Sequence, residues 1–169
     1  MDALEMILTR HSIRKYENKP ISAEMIETVL RAGMHAPSAG NEMPWEFVLI
    51  DDRATLDKVP GVHPYAQMIT SAPVAILICG DLSREKYAGY WVQDCSAAAQ
   101  NVLLAAHALG LGAVWLGIHP LVERVTGFRR LFGLPEKIVP LCLIPIGYPA
   151  ENKGQDDRYD FKRVRKNHW

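Results

Sequence analysis

Net charge is missing from this chain: its 169 residues carry 19 Lys plus Arg against 19 Asp plus Glu. With no overall field, nucleic acid and anionic membrane surfaces are not expected as partners. Cysteine is scarce as well. Cys79, Cys95 and Cys142 are widely spaced, lie in apolar surroundings and form no CxxC pair, so buried free thiols are expected rather than a disulfide framework, a redox dithiol or a zinc knuckle. The histidines at 11, 35, 63, 107, 119 and 168 give no i, i+4 pair, and no metal is expected. No apolar run approaches the roughly 20 residues of a membrane span. Met1-Asp2-Ala3-Leu4-Glu5 lacks the basic and apolar regions of a secretory signal, which points to a soluble, cytoplasmic protein. GxGxxG after a strand, GxxxxGK followed by Ser or Thr, and GxSxG are all absent, which argues against a Rossmann site, a P-loop and a hydrolase elbow.

What is present fits one domain over residues 1–169, long enough to bury on the order of 70% of its unfolded surface. Asp2 and Glu5 have capping-box spacing ahead of a short helix ending near Thr9. Pro20 and Ser22 introduce a second helix from Ala23 to His35. Strands are expected at Trp45 to Ile50, at Pro73 to Gly80 in the sheet's middle, and at Ala113 to Gly117, with helices at Arg53 to Val59 and Leu121 to Phe132. Val139 to Tyr148 is a further apolar run, but Pro140 and Pro145 remove ladder donors, placing one end at an edge or beside a bulge. The alanine-rich helix from Tyr90 to Leu109 is apolar on almost every side. A second copy across a symmetric interface would bury it, or an intramolecular sandwich would. The fold class is α+β. From about residue 150 to 169 the chain is polar, with Asp156, Asp157 and Asp160 among its basic residues, and reads as a solvated extension or an arm laid across another subunit.

Three segments carry chemistry. If Arg10-His11-Ser12-Ile13-Arg14 runs extended, Arg10, Ser12 and Arg14 share one face and His11 and Ile13 the other. Two cations and a hydroxyl suit a phosphate, although two arginines can equally solvate a helix end. Ala36 to Asn41 has the composition of irregular backbone, and the glycines at 110, 112 and 117 let backbone approach a flat ring, or simply cap a helix ahead of a strand.

The ordered set Arg-x-Ser-x-Arg at 10–14, Ala-Pro-Ser-Ala-Gly-Asn at 36–41, Pro44-Trp45-Glu46-Phe47, Ala72-Pro73-Val74, Gln93-Asp94, Gln100-Asn101, Gly110-Leu111-Gly112 and Ile146-Gly147-Tyr148-Pro149 resembles the FMN-dependent nitroreductase family over nearly the whole chain. The resemblance implies a mixed sheet sandwiched by helices, in an intertwined homodimer with a C-terminal arm and FMN at the subunit interface. It implies that Arg10 and Ser12 hold the FMN phosphate and ribityl side, with His11 in the same segment, Arg14 near the pyrimidine end and Arg158 as a further phosphate cation. Pro37, Ser38 and Asn41 would come from the second copy. Leu116, Gly117 and Ile118 match the segment whose backbone amides face flavin N5 and O4. Met43 stands where the family often has glutamine, and the long insertions of larger members are missing, so the acceptor stays open.

The implied activity is ping-pong hydride transfer through N5, from NADH or NADPH to a small-molecule acceptor such as a nitroaromatic or quinone. It needs no protein nucleophile or acid, because the cofactor supplies the reactive atom. A non-catalytic FMN-binding or sensing dimer and a flavin-consuming relative are the alternatives. Trp45, Trp91 and Trp115 read as core rather than as stacking partners.

Overall fold

Strands of nearly unbroken apolar sequence need cover on both faces. In the computed structural model, which describes residues 2–154 and 157–169, two such strands form the centre of the sheet. Residues 155 and 156 of the expected arm lie outside the described residues. The order along the chain is α1 (Ala3–Thr9), α2 (Ala23–Met34), β1 (Trp45–Ile50), α3 (Arg53–Leu56), β2 (Val74–Asp81), α4 (Trp91–Ala108), β3 (Gly112–Ala113), β4 (Leu116–Gly117), α5 (Val122–Phe132) and β5 (Ile138–Gly147). Across the sheet the strands run β1-β2-β5-β3, with β4 also on β5.

Alternation along β2 separates two cores. Val74, Ile76 and Ile78 join Val102, Ala98 and Val29 beneath α2 and α4. Ala75, Leu77 and Cys79 join Leu56, Ile69 and Phe128 on the other face, beneath α3 and α5. The sheet is thus sandwiched by helices, as expected; among the described residues every ladder is antiparallel. The one parallel pairing among the described residues is the bridge between Ser12 and Ala113. An apolar run records that both faces are covered and carries no information on strand direction.

Other differences have local causes. The expected strand from Ala113 to Gly117 is two short strands, β3 opposite Ile146 and Gly147 and β4 opposite Cys142 and Leu143. Pro145 lies between those pairings without an N–H to give to the ladder. Pro140 sits beside a register shift opposite Ile78 and Cys79, so β5 stays in the sheet's interior by means of a bulge. The helix expected at Arg53 to Val59 stops at Leu56 and gives way to a 3-10 turn containing Pro60.

The expected caps form. Asp2 accepts from Glu5 N–H at 2.9 Å and Ser22 from Met25 N–H at 3.3 Å. The three cysteines are buried and unpaired. Eight of the eighteen residues of α4 are buried, which leaves a stripe of Gln93, Ala97, Gln100, Leu104 and Ala108 uncovered or half covered. Leu4, Ile7 and Leu8 of α1 are exposed, as are Tyr159, Phe161, Val164 and Trp169 near the C-terminus. No helix among the described residues is long and apolar enough to cross a membrane.

Candidate functional site

The segment after α1 is extended because it is bonded along both sides. Ile13 N–H donates to Ala113 O at 3.0 Å, which ties the segment to β3. From the other side, Lys153 Nζ donates to Ser12 O at 2.7 Å and Glu151 Oε1 accepts from Arg14 N–H at 2.6 Å. Tyr16 is buried beneath it, its hydroxyl donating to Ile13 O at 2.7 Å. Gly112 is glycine for a packing reason: a Cβ there would lie 2.6 Å from Ile13 Cγ2. The side chains then alternate as expected. His11 and Ile13 line a cavity of about 410 Å³ with Thr9 and His107, and Arg10, Ser12 and Arg14 do not.

Arg158 returns to the same place from the other end of the chain. Burial, and then the charge of Arg158, push the Arg10 guanidinium below its ordinary pKa. Among the described residues, Arg10, Arg14 and Arg158 have no carboxylate within ion-pairing distance. Two guanidiniums close enough to feel each other's charge repel, and an anion bound between them would relieve that repulsion.

The second segment lies elsewhere on the same chain. Pro37 and Ser38 lead into a 3-10 turn, Ala39–Asn41, in which Gly40 and Asn41 take positive φ (51° and 54°), as does Met43 just beyond it (45°). Ser38 Oγ accepts from Met43 N–H at 3.0 Å, and Ala39 N–H donates to Asp94 Oδ1 at 3.0 Å near the start of α4. The Arg10 to Arg14 segment meets α4 at its far end, where Thr9 Oγ1 and His107 Nε2 are 2.8 Å apart. Asp94 and His107 are separated by about 20 Å along the helix axis, at 1.5 Å per residue. One chain therefore carries these two segments at opposite ends of α4.

The third segment offers backbone. The side chains of Leu116 and Ile118 are buried in the core and face no open site. Ile118 N–H and His119 N–H both donate to Leu141 O at 3.0 Å, so the Ile118 amide is engaged within the sheet. The Gly117 carbonyl turns off the ladder and accepts from His63 Nε2 at 3.0 Å and Arg124 Nη1 at 2.7 Å. Burial first, and then the Arg124 charge, keep His63 below its ordinary pKa, against the opposing effect of its bond to Gly117. Sequence reading missed this pair: His63 is 54 residues from Gly117, and no local pattern links them. It also missed Glu151 and Lys153. Of the three tryptophans, Trp45 and Trp91 are core, and the Trp91 ring packs over Gly80 and against His119 at 4.8 Å between centroids.

Comparison with known proteins adds a family. The model of the Nitroreductase family matches residues 7–61 and 60–148. A Methanothermobacter thermautotrophicus protein with the provisional name NADH dehydrogenase/NAD(P)H nitroreductase is 54% identical over 169 residues, covering 100% of this chain and 88% of that protein. The crystal structure of a Bacteroides thetaiotaomicron protein with the same provisional name is 48% identical and superposes with a TM-score of 0.95, covering 99% of this chain and 98% of that one. An FMN-dependent nitroreductase from Clostridium difficile is 30% identical with a TM-score of 0.90, covering 98% of this chain and 99% of that one.

Proposed function

This chain belongs to the nitroreductase family, and we propose that it is an FMN-dependent NAD(P)H oxidoreductase with a ping-pong cycle that reduces nitroaromatics, quinones or similar acceptors. The observation that carries the reading is the strapped segment that sets Arg10, Ser12 and Arg14 on the face away from the cavity, with no carboxylate partner for either arginine among the described residues and with Arg158 near enough to Arg10 for its charge to be felt. That donor set fits the phosphate of FMN, and the Ser12 hydroxyl adds a short donor beside it. His11 belongs to the same strapped segment and turns to the cavity side. Arg14 offers a cation to the pyrimidine end, where reduction places negative charge. Leu116, Gly117 and Ile118 supply backbone to the ring, and because Ile118 N–H is engaged with Leu141, Gly117 N–H is the donor left to offer.

When bound, FMN would supply hydride acceptance and release at N5 between a nicotinamide donor and the acceptor. The chain's residues bind the phosphate, orient the ring and leave one face open.

Two copies complete the site in this reading. Pro37, Ser38 and Asn41 lie at the end of α4 remote from Arg10 and Ser12, which supports their serving the FMN of a second copy. The uncovered stripe of α4, the exposed apolar residues of α1 and the exposed aromatics near the C-terminus are the surfaces a homodimer would bury. We take residues 1–169 as one domain, with about 150–169 as an extended C-terminal arm, and the cytoplasm, where NADH and NADPH are at hand, as its location.

The test is the visible spectrum of the purified protein under anaerobic conditions, before and after one equivalent of NADH or NADPH. A flavin band that bleaches within seconds is expected, and intact FMN should be recovered after many cycles in air. A colourless protein that takes up no added FMN refutes the reading. The double variant Arg10→Ala, Ser12→Ala should lose FMN on gel filtration while keeping its fold.

A further inference from the structure

Gly117 stands where backbone direction matters and nothing on the residue itself sets it. It has no side chain, and the nearest atom to a built Cβ is Trp115 Nε1 at 3.8 Å, so side-chain packing does not steady it. The strand around it is only Leu116–Gly117. Two side chains from other elements converge on its carbonyl: His63 from the loop between α3 and β2, and Arg124 from α5.

The protonation of His63 follows from its neighbours. Tyr65 N–H donates to His63 Nδ1 at 3.3 Å, so Nδ1 carries the lone pair and Nε2 carries the hydrogen that goes to Gly117 O. The imidazole is 2% exposed and stands edge-on to Phe128 with centroids 6.3 Å apart, which removes its freedom to turn. Arg124 is steadied by the Tyr65 ring, 5.5 Å from its guanidinium carbon. Both lone pairs of the Gly117 carbonyl are therefore occupied by fixed donors. In an antiparallel ladder the N–H and C=O of one residue point to the same side of the strand. The Gly117 carbonyl and Ile118 N–H share one peptide plane, so the Ile118 bond to Leu141 points the carbonyl, and with it the Gly117 N–H, off the ladder, and His63 and Arg124 hold the carbonyl there.

We propose that His63 and Arg124 are positioning residues that clamp the Gly117 carbonyl and thereby aim the Gly117 amide at the flavin ring. The assignment rests on the functional reading above, in which that amide faces N5. N5 accepts a hydrogen bond when the ring is oxidised and carries its own hydrogen when reduced. A well-aimed amide donor therefore favours the oxidised state, and loosening the clamp raises the reduction potential without disturbing the phosphate end.

The test compares His63→Leu, Arg124→Leu, His63→Gln and Arg124→Lys with the wild type, all loaded with FMN. The readouts are the FMN dissociation constant, the two-electron midpoint potential and the melting temperature. Each Leu variant should bind oxidised FMN about tenfold more weakly and reduced FMN as tightly as wild type, and so gain about tenfold in preference for reduced over oxidised flavin, about 30 mV for a two-electron couple. His63→Gln retains a donor and should recover most of that shift. Wild-type FMN binding with Leu variants that fold normally and show an unchanged potential overturns this assignment alone. A wild type that takes up no FMN overturns the functional reading and this assignment with it. If the Leu variants do not fold, Arg124→Lys carries the same comparison, because it keeps the charge but moves the donor: a raised potential supports the clamp and an unchanged one overturns it.

Discussion

Asp94 and Glu42 are buried together beneath the turn at Ser38 to Met43, and each keeps one carboxylate oxygen that no donor reaches among the described residues. Asp94 Oδ1 accepts from Ala39 N–H at 3.0 Å, and Glu42 Oε2 accepts from Lys86 N–H at 2.6 Å, so the orphaned atoms are Asp94 Oδ2 and Glu42 Oε1. Burial first, and then Glu42 as hydrogen-bond partner and charge, push the Asp94 carboxyl above the usual carboxylate range. Asp94 is thereby the carboxyl on which a proton is favoured.

Asp94→Asn should therefore stabilise the protein at neutral pH. The new amide keeps an oxygen for Ala39 N–H and offers a donor to Glu42, which removes an unsatisfied buried atom worth about 1–3 kcal/mol. Because Asp94 binds its proton more tightly folded than unfolded, its cost is largest at high pH and fades as pH falls through the folded value. Urea unfolding at pH 8 should show the full gain and at pH 5 a smaller one. A loss of stability at pH 8 would refute the pairing.

Acid should weaken the fold before carboxylates are protonated. His63 is held below its ordinary pKa by burial and then Arg124, and His107 by burial and then Arg10. The unfolded chain binds more protons at these residues once pH drops below about 6.5, so their contribution is complete above that pH and lost toward the folded values. The melting temperature should be flat near pH 7 to 8 and fall between pH 6.5 and 5. Asp52, Asp81 and Glu151, whose carboxyls are held low by hydrogen bonds, enter only at lower pH. His63→Gln should flatten the first part of that slope.

Gly112→Ala should damage both stability and the cofactor site. The added methyl lands 2.6 Å from Ile13 Cγ2, in the segment that carries Arg10 and Ser12, and overpacking of this kind costs about 1–3 kcal/mol. FMN should be lost more readily on dilution. Ile13→Ala would relieve the overlap only in part, because Ile13 Cβ itself lies 2.8 Å from the added methyl, so the check is the single variant: a Gly112→Ala protein as stable as wild type would count against the overlap.

Arg158→Ala should change the empty and loaded proteins in opposite senses. Relief of its repulsion with Arg10 leaves the protein without FMN as stable as wild type or slightly more so, whereas FMN affinity should fall about 10–100-fold, the value of one charge-assisted hydrogen bond. Titration of the empty protein with FMN at two salt concentrations reads the first effect on affinity and its salt dependence. Inorganic phosphate should raise the melting temperature of wild type and not of the variant.

Much of the fold and part of the site were legible because local chemistry encodes them. Asp2 and Ser22 cap helices through side chains three residues from their donors, and the period-two alternation of β2 divides two cores. Arg10, Ser12 and Arg14 share a face for the same geometric reason. The break of one expected strand into β3 and β4 was not legible, because its cause is Pro145 on a neighbouring strand.

By itself the sequence determined where helices start, which strand faces are covered, that the cysteines are buried thiols, and which short segments carry cations, hydroxyls and unrestrained backbone. Each of these depends on neighbours within a few residues. Only the tertiary structure decided that all ladders run antiparallel, that Arg158 returns to Arg10, that Asp94 meets Glu42, and that His63 and Arg124 grip Gly117. Those relations join residues far apart in the chain, and they exist because burial of the two cores brings the elements together; no local pattern of residue types specifies such a meeting.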